Sequence, residues 1–154
     1  MDIEFTTASL NEWNHAFDEI TYFERYLTPS LSSRGIDIKE YSSKLLNNGV
    51  IIYVFVDGQM AGIAGVYAND MKRRDAFLSI IVVDPVYQSQ GIGGRLLEEA
   101  ERIARKHDMK HMRLEVHTDN VNGVRFYERH GYAEVGPCSD NSCYMEKKIS
   151  RSCE

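Results

Sequence analysis

Val82-Val83-Asp84-Pro85-Val86-Tyr87-Gln88-Ser89-Gln90-Gly91-Ile92-Gly93-Gly94-Arg95-Leu96-Leu97 joins the two strongest local signals in the chain. Its first residues close a β-branched run, Asp75 to Val83, which Asp84-Pro85 stops because proline has no N–H to give a ladder. Its last residues open a helix, Gly91 to His107, whose Ile92, Leu96, Ala100 and Ile103/Ala104 recur on one face. Glu98/Arg102 and Glu101/Arg105 stand four apart on its other faces as helpful ion pairs. Between strand and helix lie three glycines, Gly91, Gly93 and Gly94. Glycines at a helix start leave backbone N–H groups open to close approach. With the helix dipole they make an anion site, worth ~0.3–1 kcal/mol per charge and up to ~2 kcal/mol when partly buried. Gln88, Gln90 and Arg95 add side-chain donors, and together they suit a pyrophosphate. The plain alternative is that the glycines serve only a tight turn and close helix–sheet packing.

Upstream, Val50 to Val56 is β-branched and aromatic throughout and ends at Asp57-Gly58, a tight-turn pair. Met60 to Ala68 continues as its hairpin partner, and Asn69-Asp70 begins another turn. Ile3 to Thr6 is a short first strand. Leu10, Trp13, Phe17, Ile20 and Phe23 mark one helical face within Leu10 to Leu27. Thr28-Pro29-Ser30 interrupts that helix, and Ser30 to Gly35 reads as loop. Asp37 is the N-cap of a second helix running to about Leu46, ended by Asn47-Asn48-Gly49 with Gly49 in a left-handed cap. Downstream come a short strand, Met112 to His117, and a short helix, Asn122 to His130, closed by Gly131. Tyr132 to Val135 and Tyr144 to Ile149 form a last pair of strands around a Pro137-to-Ser142 loop. The order β-α-α-β-β-β-α-β-α-β-β predicts an α/β chain with a mixed sheet and helices on its faces.

At 154 residues, 43% apolar and 27% charged, the chain has the size and make-up of one soluble domain. Disordered, collagen-like and coiled-coil classes are excluded. The 18 Lys+Arg against 23 Asp+Glu give a net charge of −5. A non-specific nucleic-acid binder shows the opposite sign, so no nucleic-acid partner is expected. A cationic small molecule or basic peptide suits this field better. Met1-Asp2-Ile3-Glu4 lacks the basic start and apolar core of a signal peptide. The longest apolar run, Val50 to Val56, falls far short of the ~20 residues of a membrane span. The expected address is the cytoplasm, with no membrane partner. Cys138, Cys143 and Cys153 are too few for a disulfide framework and not spaced as a common zinc pair. They are expected as free thiols.

Three pyrophosphate motifs compete for the glycine loop. A P-loop needs Gly-Lys-Ser/Thr, and Gly94 is followed by Arg95-Leu96. A dinucleotide fingerprint needs a third glycine where Leu96 stands. Q-x-x-G-x-G is met by Gln88, Gly91 and Gly93. Here the sequence resembles the GNAT superfamily of acyl-CoA N-acyltransferases, whose central motif, [QR]-x-x-G-x-[GA], lies between a strand and a helix. A second stretch strengthens the resemblance. Leu114-Glu115-Val116-His117-Thr118-Asp119-Asn120, then Gly123-Val124-Arg125-Phe126-Tyr127-Glu128-Arg129-His130-Gly131-Tyr132, looks like the family's strand-loop-helix segment with its Phe-Tyr-Glu-x-x-Gly-Tyr/Phe. The resemblance covers about Val50 to Ile149, and the first 48 residues match only in helical character.

The resemblance implies a single N-acetyltransferase domain over residues 1–154, with a central sheet whose middle strands splay. Acetyl-CoA is the implied cosubstrate. Its pantetheine arm would enter the splay and pair with the backbone of Ile81, Val82 and Val83. Gln88, Gln90, Gly91, Ile92, Gly93, Gly94 and Arg95 would hold the pyrophosphate, and Asn120 would touch the pantetheine or adenosine. Acyl transfer to an amine requires that the ammonium lose a proton, that developing oxyanion charge be stabilised, and that the thiolate leave. Tyr127 matches the family's usual general acid and also lies beside the cofactor. Glu115 is the candidate base, on burial that would raise its pKa. It stands where some members carry a Glu that works through water. The alternative is a strand-face carboxylate paired with Arg113 or a lysine. Other members place His or Glu on the preceding strand, whereas this chain has Phe77 and Ser79 there, which leaves Glu115, His117 or water.

His117 shares a strand face with Glu115 and either relays protons or is simply solvated. His107, Lys110 and His111 read as a solvated helix end and loop, and no metal is expected. Tyr22, Tyr26 and Tyr67 are candidate walls of an acceptor pocket, whereas Phe23 and Phe77 suit the core. The Cys138-to-Cys143 loop borders that pocket without a catalytic thiol. The implied reaction is direct attack by a primary amine in a ternary complex, with a small-molecule acceptor favoured and a monomer or homodimer as the assembly. A peptide or protein amine is the alternative acceptor. A non-catalytic acyl-CoA-binding module is the alternative class.

Overall fold

A computed structural model describes residues 1–8 and 13–150. Leu10, the Trp13 side chain and Cys153 lie outside the described part. In chain order the elements are β1 (Ile3–Thr7), α1 (Trp13–Phe23), α2 (Ile38–Asn48), β2 (Val50–Val56), β3 (Gln59–Tyr67), β4 (Asp75–Val83), α3 (Ile92–Lys106), β5 (His111–His117), α4 (Val121–Arg129), β6 (Ala133–Val135) and β7 (Ser142–Lys148). The strands form one 7-stranded sheet in the order β1-β2-β3-β4-β5-β7-β6. Every neighbouring pair is antiparallel except β4 and β5, which are parallel across the α3 crossover.

The hairpins follow from local chemistry. Asp57 and Gly58 take φ values of 50° and 83°, the two positive angles a tight primed turn needs. Asp37 caps α2 by accepting from the N–H groups of Lys39 and Glu40. Period-2 alternation then divides the sheet's side chains between two cores. One face carries Ile52, Val54, Ala64, Val66, Leu78, Met112, Leu114 and Met145 against Leu96, Leu97, Ala100 and Ala104 of α3. The other carries Ile51, Tyr53, Ile63, Ile80 and Val82 against Ile20 and Phe23 of α1 and Leu45 and Leu46 of α2.

One irregularity interrupts the middle of the sheet. Gly65 pairs with Ile80 and Val66 with Leu78, so Ser79 is an extra residue on β4. A bulge bends its strand and resets the side-chain alternation. Leu78 therefore packs on the α3 face while Ile80 and Val82 pack on the α1/α2 face. The pairing of β4 with β5 ends at the same point, running from Asp75–His111 to Leu78–Leu114. Beyond it the two strands part. Glu115, Val116 and His117 pair with Tyr144, Cys143 and Ser142 on the far side.

Four expectations are corrected. Gly49 is not left-handed but extended at φ −127°; it is needed because a Cβ there would lie 2.7 Å from the Val66 carbonyl oxygen. On α3, Arg102 pairs with Glu99 and not Glu98. Glu101 is buried, where it accepts from Tyr132 Oη at 2.7 Å and from Lys147 Nζ at 3.1 Å and 3.2 Å, so it is not Arg105's surface partner. Cys138 and Cys143 are joined as a disulfide. The loop between β6 and β7 folds back through a Ser139–Ser142 turn and brings their Cα atoms to 4.5 Å, within bridging range.

Candidate active site

Where β4 and β5 part, a cavity of about 1180 Å³ passes between them. Ser79, Ile80, Ile81, Val82 and Val83 line it on one side, and Glu115, Val116 and His117 on the other. The pairing explains this: a bulge in β4 marks the end of its ladder with β5, while β5 keeps β7 on its opposite edge along its whole length. Sequence reasoning names Ile81 to Val83 and Glu115 but has no local signal for Ser79, because a bulge is a property of two strands together.

At one end of the cavity α3 begins. Gly91 is its N-cap at φ 78°, with no side-chain cap. Arg95 N–H makes an early helical bond to the Gly91 carbonyl. The N–H groups of Ile92, Gly93 and Gly94 therefore precede the ladder and point out of the helix end. Gly91, Ile92, Gly93, Gly94, Arg95 and Gln88 all line the cavity. Gln88 donates its amide to the Val83 carbonyl at 3.1 Å, which fixes the loop. Gln90 does not line the cavity, unlike its neighbours. Packing also accounts for two of the glycines. A Cβ on Gly93 would lie 3.3 Å from Phe126 and one on Gly94 only 2.7 Å from His130 Nε2, so α4 sits tight against the start of α3. Bare N–H groups and close packing are thus both features of the same residues.

From α4 comes Tyr127, half-buried and lining the cavity. Its ring rests edge-on against Phe126 at 5.3 Å and Tyr132 at 5.8 Å. Its hydroxyl makes no hydrogen bond among the described residues, and burial pushes its pKa above the usual tyrosine range. Asn120 caps α4 by accepting from Gly123 N–H at 3.0 Å, and it too lines the cavity.

Glu115 and His117 stand on the β5 face away from buried Leu114 and Val116. Glu115 is exposed and not buried as expected; Ser142 Oγ donates to its Oε2 at 2.7 Å. Its alternative partner, Arg113, is instead bonded to Glu146 at 3.1 Å. Ser142 is the site residue that sequence reasoning missed, because its place depends on the β5–β7 register. His117 Nδ1 accepts from Asp119 N–H at 3.2 Å, which leaves the proton of a neutral ring on Nε2. His111 is half-buried beside Asp75 at 3.4 Å and is not a loop residue. Of the aromatic candidates, Tyr26 lines the cavity. Tyr22 is hydrogen-bonded to Asp84 outside it, Phe23 is buried in the core, and Tyr67 faces Lys44.

No helix among the described residues is long and apolar enough to cross a membrane. A spermidine N(1)-acetyltransferase of Thermoplasma acidophilum is 37% identical over 68 residues, which are 44% of this chain and 42% of that protein. YxbD of Bacillus subtilis, an uncharacterised protein, is 40% identical over 53 residues, 34% of this chain and 33% of its own length. The chain therefore spans less than half the length of these curated relatives. Among solved structures, the PaiA N-acetyltransferase of Thermoplasma acidophilum in complex with coenzyme A superposes with a TM-score of 0.71 at 26% identity, covering 96% of this chain and 99% of that one. A mixed sheet parted beside a glycine-started helix agrees with the family model that matches residues 8–132, and the chain belongs to the acetyltransferase (GNAT) family.

Proposed function

We propose that this chain transfers the acetyl group of acetyl-CoA to a primary amine by direct attack, both substrates lying in the parted sheet. Acetyl-CoA is the family's cosubstrate, and two features fit it. The α3 N-terminus presents uncapped N–H groups suited to a pyrophosphate. The inner edge of β4 from Ser79 to Val83 has no strand partner on the β5 side, so its backbone groups are available to the amides of a pantetheine arm. When bound, acetyl-CoA supplies an activated thioester.

The residues then divide the work. Ile81, Val82 and Val83 orient the thioester arm, and Gly91 to Arg95 with Gln88 anchor its phosphates. Glu115 draws the ammonium form of the amine and takes its proton, directly or through water, while Ser142 holds the carboxylate in place. His117 stands next on the same face, its Nδ1 held by the Asp119 N–H, and water carries that proton to solvent. Tyr127 gives its phenolic proton to the departing thiolate.

The observation that carries this reading is the Tyr127 hydroxyl: half-buried, free of any hydrogen bond to the described residues, and in the same cavity as Glu115 and the α3 N-terminus. The hydroxyl is not closed off in the core, so a group bound in the cavity can meet it. Tyr127→Phe should lower kcat by about 10²–10⁴-fold while leaving the Kd for acetyl-CoA nearly unchanged, since the proton is needed only as the thiolate leaves. Stopped-flow thiol release and calorimetry measure the two quantities. Full turnover in the variant, with chemistry limiting, removes Tyr127 from the mechanism.

A further inference from the structure

The acceptor side of the cavity holds a cation that the mechanism does not use. Arg34 lines it together with Tyr26, Leu27, Pro29, Glu115 and His117. All of these stand on the α1/α2 face of the sheet or in the chain between those helices, opposite the face where α3 and α4 pack. Arg34 makes no ion pair or side-chain hydrogen bond among the described residues, and it is exposed. Its nearest acidic neighbour in sequence, Asp37, is already engaged as the α2 cap, accepting from Lys39 N–H at 2.9 Å and Glu40 N–H at 3.2 Å, and the Glu24 carboxylate accepts from Ser32 N–H at 2.9 Å and from Ser32 Oγ.

The arginine is also firmly carried. Ser32–Arg34 forms a single 3₁₀ turn between buried Leu31 and left-handed Gly35. Arg34, Gly35 and Ile36 donate back to the carbonyls of Leu31 and Ser32 at 3.0–3.1 Å. The guanidinium is close enough to the Tyr41–Ser79 pair at the β4 bulge for its charge to oppose the upward push of burial on the Tyr41 hydroxyl. One positive fork and one carboxylate, Glu115, therefore face a common space with an apolar wall of Leu27 and Pro29.

We propose that the acceptor is a primary amine that also carries a carboxylate, with Arg34 as the residue that reads the carboxylate and Glu115 facing the amine. This rests on the acetyl-transfer reading above. A guanidinium matches a carboxylate with two parallel N–H donors, and a zwitterion presents the complementary charge at each end. A doubly charged phosphate fits less well, because a single guanidinium leaves it one charge in excess beside Glu115. The net charge of −5 does not oppose this, since surface charges beyond a Debye length of ~8 Å are largely screened and a local partner governs recognition.

Matched pairs test the proposal: tyrosine with tyramine, phenylalanine with phenethylamine, lysine with cadaverine, and phosphoethanolamine with ethanolamine. Thiol release from acetyl-CoA by the full chain gives kcat/KM for each. The amino acid of at least one pair should exceed its decarboxylated partner by about tenfold or more, the low end for a charge-assisted hydrogen bond. Arg34→Gln should erase that ratio and Arg34→Lys restore part of it. Calorimetry with the coenzyme A-loaded protein adds a readout that needs no turnover: N-acetyltyrosine should bind more tightly than N-acetyltyramine, and Arg34→Gln should remove the difference. Equal or better use of the amines without carboxylate, a preference confined to the phosphate pair, or ratios untouched by Arg34→Gln would each overturn it. Absence of turnover with every amine, alongside an Arg34-dependent preference for N-acetyltyrosine, would instead overturn acetyl transfer and leave the binding assignment standing.

Discussion

The Tyr127 phenol sits between two aromatic rings with its oxygen toward the cavity, and desolvation disfavours its anion. The sign follows directly. The proposed proton donor must be the neutral form, and a raised pKa keeps Tyr127 neutral through the ordinary tyrosine range near 10. With both substrates saturating, kcat should show no alkaline decline below about pH 10 that traces to this residue; a decline near pH 9 that disappears in Tyr127→Phe contradicts the assignment. Glu115 calls for the opposite limb. Glu115→Gln keeps the hydrogen bond to Ser142 possible and removes the basicity, so kcat/KM at neutral pH should fall roughly 10²–10⁴-fold and the acidic limb should flatten. A variant with an unchanged pH–rate profile transfers the base role to His117 or bulk water. Both residues are legible in the sequence through the Phe-Tyr-Glu stretch and the strand before it. Their surroundings are not. Glu115 is held by Ser142, which reaches it only through the β5–β7 register.

Two helices meet where the glycine loop ends, and their contact couples binding to packing. Gly93 and Gly94 face Phe126 and His130 at separations that leave no room for a larger side chain. Gly93→Val must push aside the Phe126 ring of α4, the helix that carries Tyr127 one residue further on. A cost of about 1–3 kcal/mol is expected from overpacking, with acetyl-CoA affinity and kcat falling together; thermal unfolding and calorimetry on the same sample check this. A variant that melts like the parent yet binds weakly shows instead that the N–H groups alone were blocked. At this scale the chain's local signals are nearly complete. Periodicity places α3, Asp37 places α2, and Asp57-Gly58 places the first hairpin. The errors lie where a distant backbone decides: Gly49 is extended against Val66, and Glu101 is drawn inward by Tyr132 and Lys147. Neither partner is visible from within the helix that bears the residue.

Across the molecule, burial raises several tyrosines, and Tyr41 is pushed from the ordinary 10 to about 12 by desolvation. A folded-state pKa above the unfolded one means stability that is intact below pH 10 and lost as pH climbs toward 12. Tyr127 and Tyr132 shift in the same direction. The urea midpoint should therefore hold up to about pH 10 and then decline, less steeply in Tyr41→Phe; a midpoint already falling between pH 8 and 9 would point to other groups. The Cys138–Cys143 bridge gives a simpler test. Of the three cysteines, only Cys153 should react with a thiol reagent in chain unfolded without reductant. Two or three reactive thiols would return the pair to the reduced state. Spacing arithmetic missed this bridge because it is made by a hairpin's return and not by a framework. The widest consequence comes from the bulge at Ser79. Sheets commonly hide their edges at the periphery, but this one opens an edge in its interior, between strands that share only four paired positions. A molecule with peptide-like amides can therefore finish the sheet from inside, and occupancy becomes a structural act. Amide exchange between Ser79 and Val83 should slow sharply on adding acetyl-CoA. Short extended amides without any adenosine should compete for the same seam, which makes the interrupted strand pair a foothold for inhibitors that do not resemble a nucleotide.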